Sequence, residues 1–341
     1  MTGKIGFACK YHHEDQTIDK KQIGIIEQAM RPRSTTIAWL NRQTAKVADE
    51  KLWEILKHNM QSTLKLVEYV AGLEPKLRML RLGSDILPAY TEPTWSWFWQ
   101  QTDVKAYCQQ KLAHIGEIAR QSGVRLSMHP GAFCVLASAT TAIVEKSIQE
   151  IEYHADLIRW MGYGNTFQDF KCNVHISGKK GPGGILEILP RLSTEARNSI
   201  TIENDENGWG LDASLELEKH LALVVDIHHH WIRAEEYILP TDDRFKRVID
   251  SWRGIQPVIH YSYSRDEHLP IGFKHDTMPN MTELLKSGYK KQKLRAHSDW
   301  YPNKLVNQYA LSFLEYSDIM CESKMKNLAS IQLYNEYTSG N

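Results

Sequence analysis

Apolar residues in this chain gather in short runs, each ended by a polar or turn-forming residue. Eight such runs recur: KIGFAC (4–9), LRMLRLGSD (77–85), VRLSMHPG (124–131), CNVHISG (172–178), SITIEND (199–205), ALVVDIHHH (222–230), QPVIHYS (256–262) and DIMCES (318–323). Short continuous runs with an aliphatic and β-branched bias read as strands covered on both faces. Longer segments with a different period lie between most of them. Residues 103–121 bring Val104, Cys108, Leu112, Ile115 and Ile118 onto one stripe. Residues 140–161 do so with Ile143, Val144, Ile148, Ile151, Ala155, Ile158 and Trp160, and the longest segment, 44–71, with Leu52, Leu56, Leu64 and Val67. That spacing predicts helices with one buried face. Strands alternating with helices imply a parallel sheet, and eight of them predict a (β/α)8 TIM barrel. The predicted barrel spans residues 1–326, with inserts at 10–76 after the first strand and 263–317 after the seventh. Residues 327–341 are left as a C-terminal tail, and the closing NEYTSGN reads as frayed.

Composition narrows the class without naming a function. The chain has 341 residues, 42% of them hydrophobic, enough for one large core or for two smaller domains. Lys and Arg number 41, and so do Asp and Glu, so any nucleic-acid-binding face has to be local rather than global. The five cysteines (Cys9, Cys108, Cys134, Cys172 and Cys321) form no C-x-x-C pair and are odd in number, which argues against a disulfide scaffold and fits a reducing compartment. The opening MTGKIGFACKYHHED has no apolar stretch of signal-peptide kind. No stretch approaches the ~20 apolar residues of a membrane span. These features predict a protein of the cytoplasm, free or nucleoid-associated, with no membrane partner.

Chemistry collects where the runs end. The second run ends at Asp85, the third at His129 and the fourth carries His175. The fifth ends in Glu203, the sixth in Asp226 with His229 one turn on, the seventh at His260 and the eighth in Glu322. In a parallel barrel all strands point one way, so these side chains converge on the C-terminal mouth, where barrel enzymes keep their sites. Several carboxylates in one cup repel each other unless cations join them. Imidazole and carboxylate without thiolate suit Zn2+ or Mn2+, with Mg2+ as an alternative, and several carboxylates suggest more than one ion. A single Asp at a strand end is commonly a turn or helix cap; the constellation, not any one residue, carries the expectation.

Several motifs in order resemble those of the UV damage endonuclease family: RLGSDILP (81–88), MHPG (128–131), VHISG (174–178), IENDE (202–206), VVDIHH (224–229), RAHSD (295–299) and DIMCESK (318–324). The likeness covers roughly residues 4–326. It implies an endonuclease IV-like, xylose-isomerase-like barrel with up to three divalent ions. By this resemblance the ligands are Asp85, His129, His175, Glu203, Asp226, His229, His260, His297 and Glu322. Glu203, Asp226, His260 and Glu322 are also the implied catalytic set, with Glu203 bridging two ions. His228 and His230 are expected outside the ligand set, His230 as a residue orienting a ligand. The implied reaction is hydrolysis of a DNA phosphodiester 5′ of a damaged site, leaving a 3′-hydroxyl. The implied partner is damaged double-stranded DNA, met by a monomer. An abasic-site endonuclease, a sugar isomerase on the same barrel, and a damage-binding protein that does not cut are the competing readings.

The chain departs from the family at the parts that read a lesion. A Gln-Tyr pair after MHPG is replaced by Ala132 and Phe133, a strand-one Tyr by Phe7, and a modified lysine on strand seven by Val258. Phe7, Ala132 and Phe133 are still the candidate DNA contacts by position. Lys179 and Lys180 in SGKKGPGG (177–184) are candidate phosphate contacts, with glycines that allow close backbone approach. KKQKLR (290–295) is a second basic stretch near His297. The aromatic segment TEPTWSWFWQ (91–100) is expected to plug a loop against a neighbouring helix, ahead of any base-stacking role.

Overall fold

The computed structural model describes residues 3–340; residues 1, 2 and 341, at the outer ends of the predicted barrel and tail, lie outside the described residues. Eight strands close a barrel in sequence order: β1 (Ile5–Ala8), β2 (Met79–Leu82), β3 (Arg125–Met128), β4 (Lys171–His175), β5 (Ile200–Glu203), β6 (Ala222–Asp226), β7 (Val258–Tyr261) and β8 (Asp318–Cys321). Each pairs in parallel with the next, and β8 closes on β1 through Ile5 beside Ile319 and Phe7 beside Cys321. Each falls within its predicted run, except that β4 starts one residue earlier, at Lys171.

Alternation along the strands sorts side chains into two compartments. Leu80 and Leu82, Leu126 and Met128, Cys172 and Val174, Ile200 and Ile202, Leu223 and Val225, and Ile259 point outward into the core between sheet and helices. Ala8, Met79, Ala222, Val224, Val258 and Met320 pack together in the lumen with Trp252, which precedes β7 at the lower end. The inward series then turns polar toward the mouth: Arg81, His129, Lys171–Asn173–His175, Glu203, Asp226, His260 and Glu322. The runs are covered on both faces, as expected, but the inner face is not apolar throughout.

The three longest predicted helices form as Ala45–Ala71, Thr102–Gln121 and Thr141–Trp160. The C-terminal segment differs from expectation. Lys326–Ser339 is a helix lying on β1 and β8, with Ala329 and Leu333 fully buried and Asn327 bonded to the backbone of His12 at 2.7 and 2.8 Å. Its apolar positions are few, so the helical period is faint in the sequence. The aromatic segment packs as a plug: Trp95, Phe98 and Trp99 are buried against the Ala45–Ala71 and Thr102–Gln121 helices, and Trp97 alone of the three tryptophans is half exposed. Among the described residues, no helix is long and apolar enough to cross a membrane.

Candidate metal centre

Glu203, at the end of β5, is the hub of the mouth. It is fully buried, and four imidazoles face it. His129 Nε2 lies 3.3 Å and His175 Nε2 3.9 Å from its Oε2, while His260 Nδ1 lies 3.1 Å and His229 Nδ1 3.5 Å from its Oε1. Glu322 Oε1 stands 3.3 Å from His260 Nδ1. Two groups have ligand atoms within 4.8 Å of one another, His129–His175–Glu203 and Glu203–Asp226–His260, and they share Glu203.

Local structure aims these groups. Asp226 caps the helix Ile227–Ala234: its Oδ1 accepts the backbone N–H of His228 (2.8 Å) and His229 (2.7 Å). The cap leaves Oδ2 free to face the cup. His129 Nδ1 is bonded to the Pro130 carbonyl, which leaves Nε2 for the cup. His297, in the insert after β7, is brought in by an antiparallel bridge to Ser264, and its Nδ1 is 3.1 Å from the Glu322 carbonyl. Glu203 Oε1, Asp226 Oδ2 and His260 Nδ1 are buried without a hydrogen-bond partner. Buried polar atoms rarely stay unpaired, and three converging on one point are what a cation would satisfy.

The electrostatics agree. Burial raises the Glu203 carboxyl, but the neighbouring imidazoles of His260, His175 and His129 outweigh it and hold it well below the usual range. Burial raises Glu322 too, and Arg81 and His260 bring it well below. Burial pushes Asp226 up to about 7 against the pull of His229. For His175 and His229 burial works toward the neutral ring, yet the carboxylates prevail and raise them to about 9 and about 10. Positive charge is thus drawn onto His175 and His229. His129 and His297 are lowered, chiefly by burial, and stay neutral imidazoles with a lone pair to give.

Two assignments made from the sequence need correction, and the loop of a third packs otherwise than expected. Asp85 does not join the cluster: it is exposed on the loop after β2, and the charges it feels are Lys10 and Arg31. From β2 it is Arg81 that enters the cup and pairs with Glu322. Phe7 faces outward into the sheet–helix core at 1% exposure, so it cannot contact DNA; the inward position beside it is Ala8. Lys180 is tied to Glu187 at 2.7 Å, and the loop glycines approach protein rather than phosphate. A Cβ on Gly178 (φ +96°) would meet the Ala137 carbonyl at 2.4 Å, and one on Gly181 (φ +54°) the Trp209 ring at 2.8 Å. Lys179 is exposed at the mouth, as are Ala132 and Phe133, the last at 69%.

The three histidines of 228–230 lie on the first turn of a helix, not on a strand. His229 turns into the cup, His228 bonds the Leu294 carbonyl, and His230 faces Glu236 at 3.4 Å, away from every ligand it was expected to orient. Residues not anticipated from the sequence complete the surroundings. Asp205 meets His175 Nδ1 at 3.3 Å, Glu206 meets His229 Nε2 at 3.4 Å, Asn173 Nδ2 donates to Glu203, and Lys171 Nζ touches His260 Nε2 at 2.9 Å. Beneath them Arg125 pairs with Asp318 at 2.6 Å. The alternation in KCNVH and MLRL is the signal that puts Lys171, Asn173 and Arg81 on the inner face. Outside the cup, Lys293, Arg295, Lys324, Lys326 and His297 line a cavity of about 650 Å³ that opens onto His229 and Glu322.

The UV-endonuclease UvdE family model matches residues 17–340. The chain belongs to the UvdE family, whose members are DNA repair endonucleases. It is 21% identical over 319 residues to the UV DNA damage endonuclease of Bacillus cereus (strain B4264), covering 90% of this chain and 89% of that protein. It is 24% identical over 324 residues to that of Bacillus velezensis, with the same shares. The crystal structure of SacUVDE superposes with a TM-score of 0.73 at 19% identity over 99% of both chains. Endonuclease IV from Thermus thermophilus superposes with a TM-score of 0.53 at 13% identity, over 82% of this chain and 95% of its own. These structural likenesses speak for the fold.

Proposed function

We propose that this UvdE-family chain is a divalent-metal-dependent hydrolase that cuts double-stranded DNA 5′ of a damaged site and leaves a 3′-hydroxyl. The carrying observation is the pair of ligand groups sharing Glu203, with Glu203 Oε1, Asp226 Oδ2 and His260 Nδ1 buried, unpartnered and convergent. His129, His175 and Glu203 would hold one ion. Glu203, Asp226, His260 and Glu322 would hold another, and His229 with His297 a third; Mn2+ or Zn2+ suits these donors. Such ions supply a deprotonated water near neutral pH and neutralise charge on the phosphate. The protein's own part is to fix these donors and to keep the cup dry. The wall of Lys293, Arg295, Lys324 and Lys326 offers positive charge to the phosphates that flank the cut.

Lesion reading falls to Phe133, exposed on the loop after β3, where an aromatic ring is suited to stack on a disturbed base step. A monomer of the cytoplasm or nucleoid fits, since a duplex has to reach the mouth unobstructed.

An incision assay tests this reading. Duplexes carrying one cyclobutane dimer, one 6-4 photoproduct, one abasic site or no damage are each offered with Mn2+, with chelator, and to Glu203→Gln. Metal-dependent cutting 5′ of a photoproduct, abolished in Glu203→Gln and reduced in Phe133→Ala, is expected. Cutting at the abasic site alone would move the lesion class, and no cutting of any duplex would sink the nuclease reading.

A further inference from the structure

The two most exposed large hydrophobic side chains among the described residues are Ile271, fully in solvent, and Phe133, at 69%. Phe133 follows β3 and Ile271 follows β7. In a barrel closed in sequence order these strands face each other across the lumen, so the two loops rise from opposite sides of the cup. Ile271 sits at the tip of a tight turn. The Phe273 N–H donates to the Pro270 carbonyl at 2.9 Å, and Gly272 has the positive φ (+75°) that a type II turn asks of its third residue. Both feet of the turn are fixed: Leu269 is buried and Phe273 packs on the edge of the core. Below them the His275 ring lies between Asp266 (3.4 Å) and the Tyr263 hydroxyl (3.3 Å). The Arg265 N–H donates to the Ala296 carbonyl at 3.0 Å, beside the bridge from Ser264 to His297. His268, on the same loop, lines the basic cavity that opens onto the cup.

A single exposed isoleucine on a surface needs no special reason. This one is held on a rigid tip, on a loop that also walls the cavity of Lys293 and Arg295, and the turn asks nothing apolar of its second residue. We infer that Ile271 is a second wedge, which enters the stack of a duplex lying across the mouth at a base step on the far side of the cup from Phe133. The inference rests on the double-stranded DNA reading above and adds a second point of entry to it. Proteins that kink a duplex push apolar side chains between base steps, and isoleucine is among those used. Two such points on opposite rims open the stack on both flanks and hold the stretch between them over Glu203. The turn is ordered before DNA arrives, so little conformational freedom is lost on entry.

The test reads binding and unstacking, not cutting. Full-length wild type, Ile271→Ser, Ile271→Leu and Phe133→Ala are bound, in chelator and again in Ca2+, to duplexes carrying one cyclobutane dimer or one abasic site. A 2-aminopurine probe, which brightens where a base is unstacked, is moved step by step along both flanks of the lesion. Wild type is expected to brighten the probe on both flanks, Ile271→Ser to lose the signal on one flank and Phe133→Ala on the other. Losing the burial of the isoleucine is expected to weaken binding by Ile271→Ser roughly 10-fold, with Ile271→Leu close to wild type. The slope of affinity against salt is expected to stay unchanged, because no phosphate contact is removed. Brightening on both flanks in Ile271→Ser would overturn the wedge. So would an equal loss of affinity in Ile271→Leu, or a loss in Ile271→Ser that comes with a shallower salt slope. Wild-type protein that binds no duplex would overturn the double-stranded DNA reading itself, a result distinct from the others.

Discussion

At the scale of single residues, what decides a side chain's role is which face of its strand it occupies. Phe7 and Ala8 are neighbours in sequence, yet Phe7 is locked in the outer core and Ala8 lines the lumen. The aligned position of a family tyrosine is thus no guide to function here. Phe7→Tyr would bury a hydroxyl among apolar neighbours. It is expected to destabilise the fold by roughly 1–3 kcal/mol and to leave incision by the folded protein unchanged. Thermal melts alongside rates per folded molecule check this; a gain in photoproduct cutting would mean that Phe7 reaches DNA after all. Asp226 is the converse case, one side chain with two tasks. Asn keeps an oxygen for the backbone N–H groups of His228 and His229, whereas Ala does not. Asp226→Asn is expected to melt close to wild type in chelator but to bind metal poorly. Asp226→Ala should lose both metal binding and about 1 kcal/mol of stability from the missing cap.

At the scale of elements, the C-terminal helix Lys326–Ser339 is part of the barrel's outer layer rather than an appendage. Leu333 and Ala329 are fully buried, Asn327 ties the helix to the loop after β1, and Lys326 at its start lines the cavity beside Glu322. Leu333→Ala is expected to cost roughly 2–5 kcal/mol, measured by urea unfolding. A cost under about 0.5 kcal/mol, as at an exposed surface site, would return the segment to the status of a frayed tail. The helix was not legible in the sequence because its stability comes from docking on β1 and β8. A sparse apolar stripe suffices when the outer face of β1 and β8 and a polar tie from Asn327 hold it in place. The Thr102–Gln121 and Thr141–Trp160 helices were legible because each carries a full stripe that had to be covered. In the SGKKGPGG loop the glycines, expected to allow close approach to phosphate, instead serve close packing against Ala137 and Trp209.

At the scale of the whole molecule, charge is balanced inside the barrel as well as over it. Arg81 pairs with Glu322 in the cup, and Arg125 with Asp318 beneath it. Removing metal with chelator is therefore expected to lower the melting temperature without unfolding the chain, since the floor partners its own acids. Away from the cup, Glu150 lies buried on the Thr141–Trp160 helix, and burial pushes its carboxyl up to about 7. Its folded-state value lies above its unfolded one, so its contribution to stability is full below about pH 4.5 and is lost as pH rises through about 7. Glu150→Gln stays neutral and should match wild type at pH 4 and be more stable by roughly 1–3 kcal/mol at pH 8. Equal melting temperatures at both values would show that the carboxyl is solvated.

The sequence by itself determined the barrel and most of its cup. Strand runs and helical stripes are local consequences of burial, and a parallel barrel carries every strand end to the same mouth. His129, His175, Glu203, Asp226, His260 and Glu322 were therefore found from position alone. Tertiary structure alone decided which inward side chains meet. Arg81 and not Asp85 enters from β2, because alternation turns Arg81 inward while Asp85 lies on the loop beyond. Lys171, from a strand three away in order, reaches His260 only because the barrel closes. Periodicity reports which face a residue takes; contacts across a lumen depend on closure and register, which no local pattern encodes.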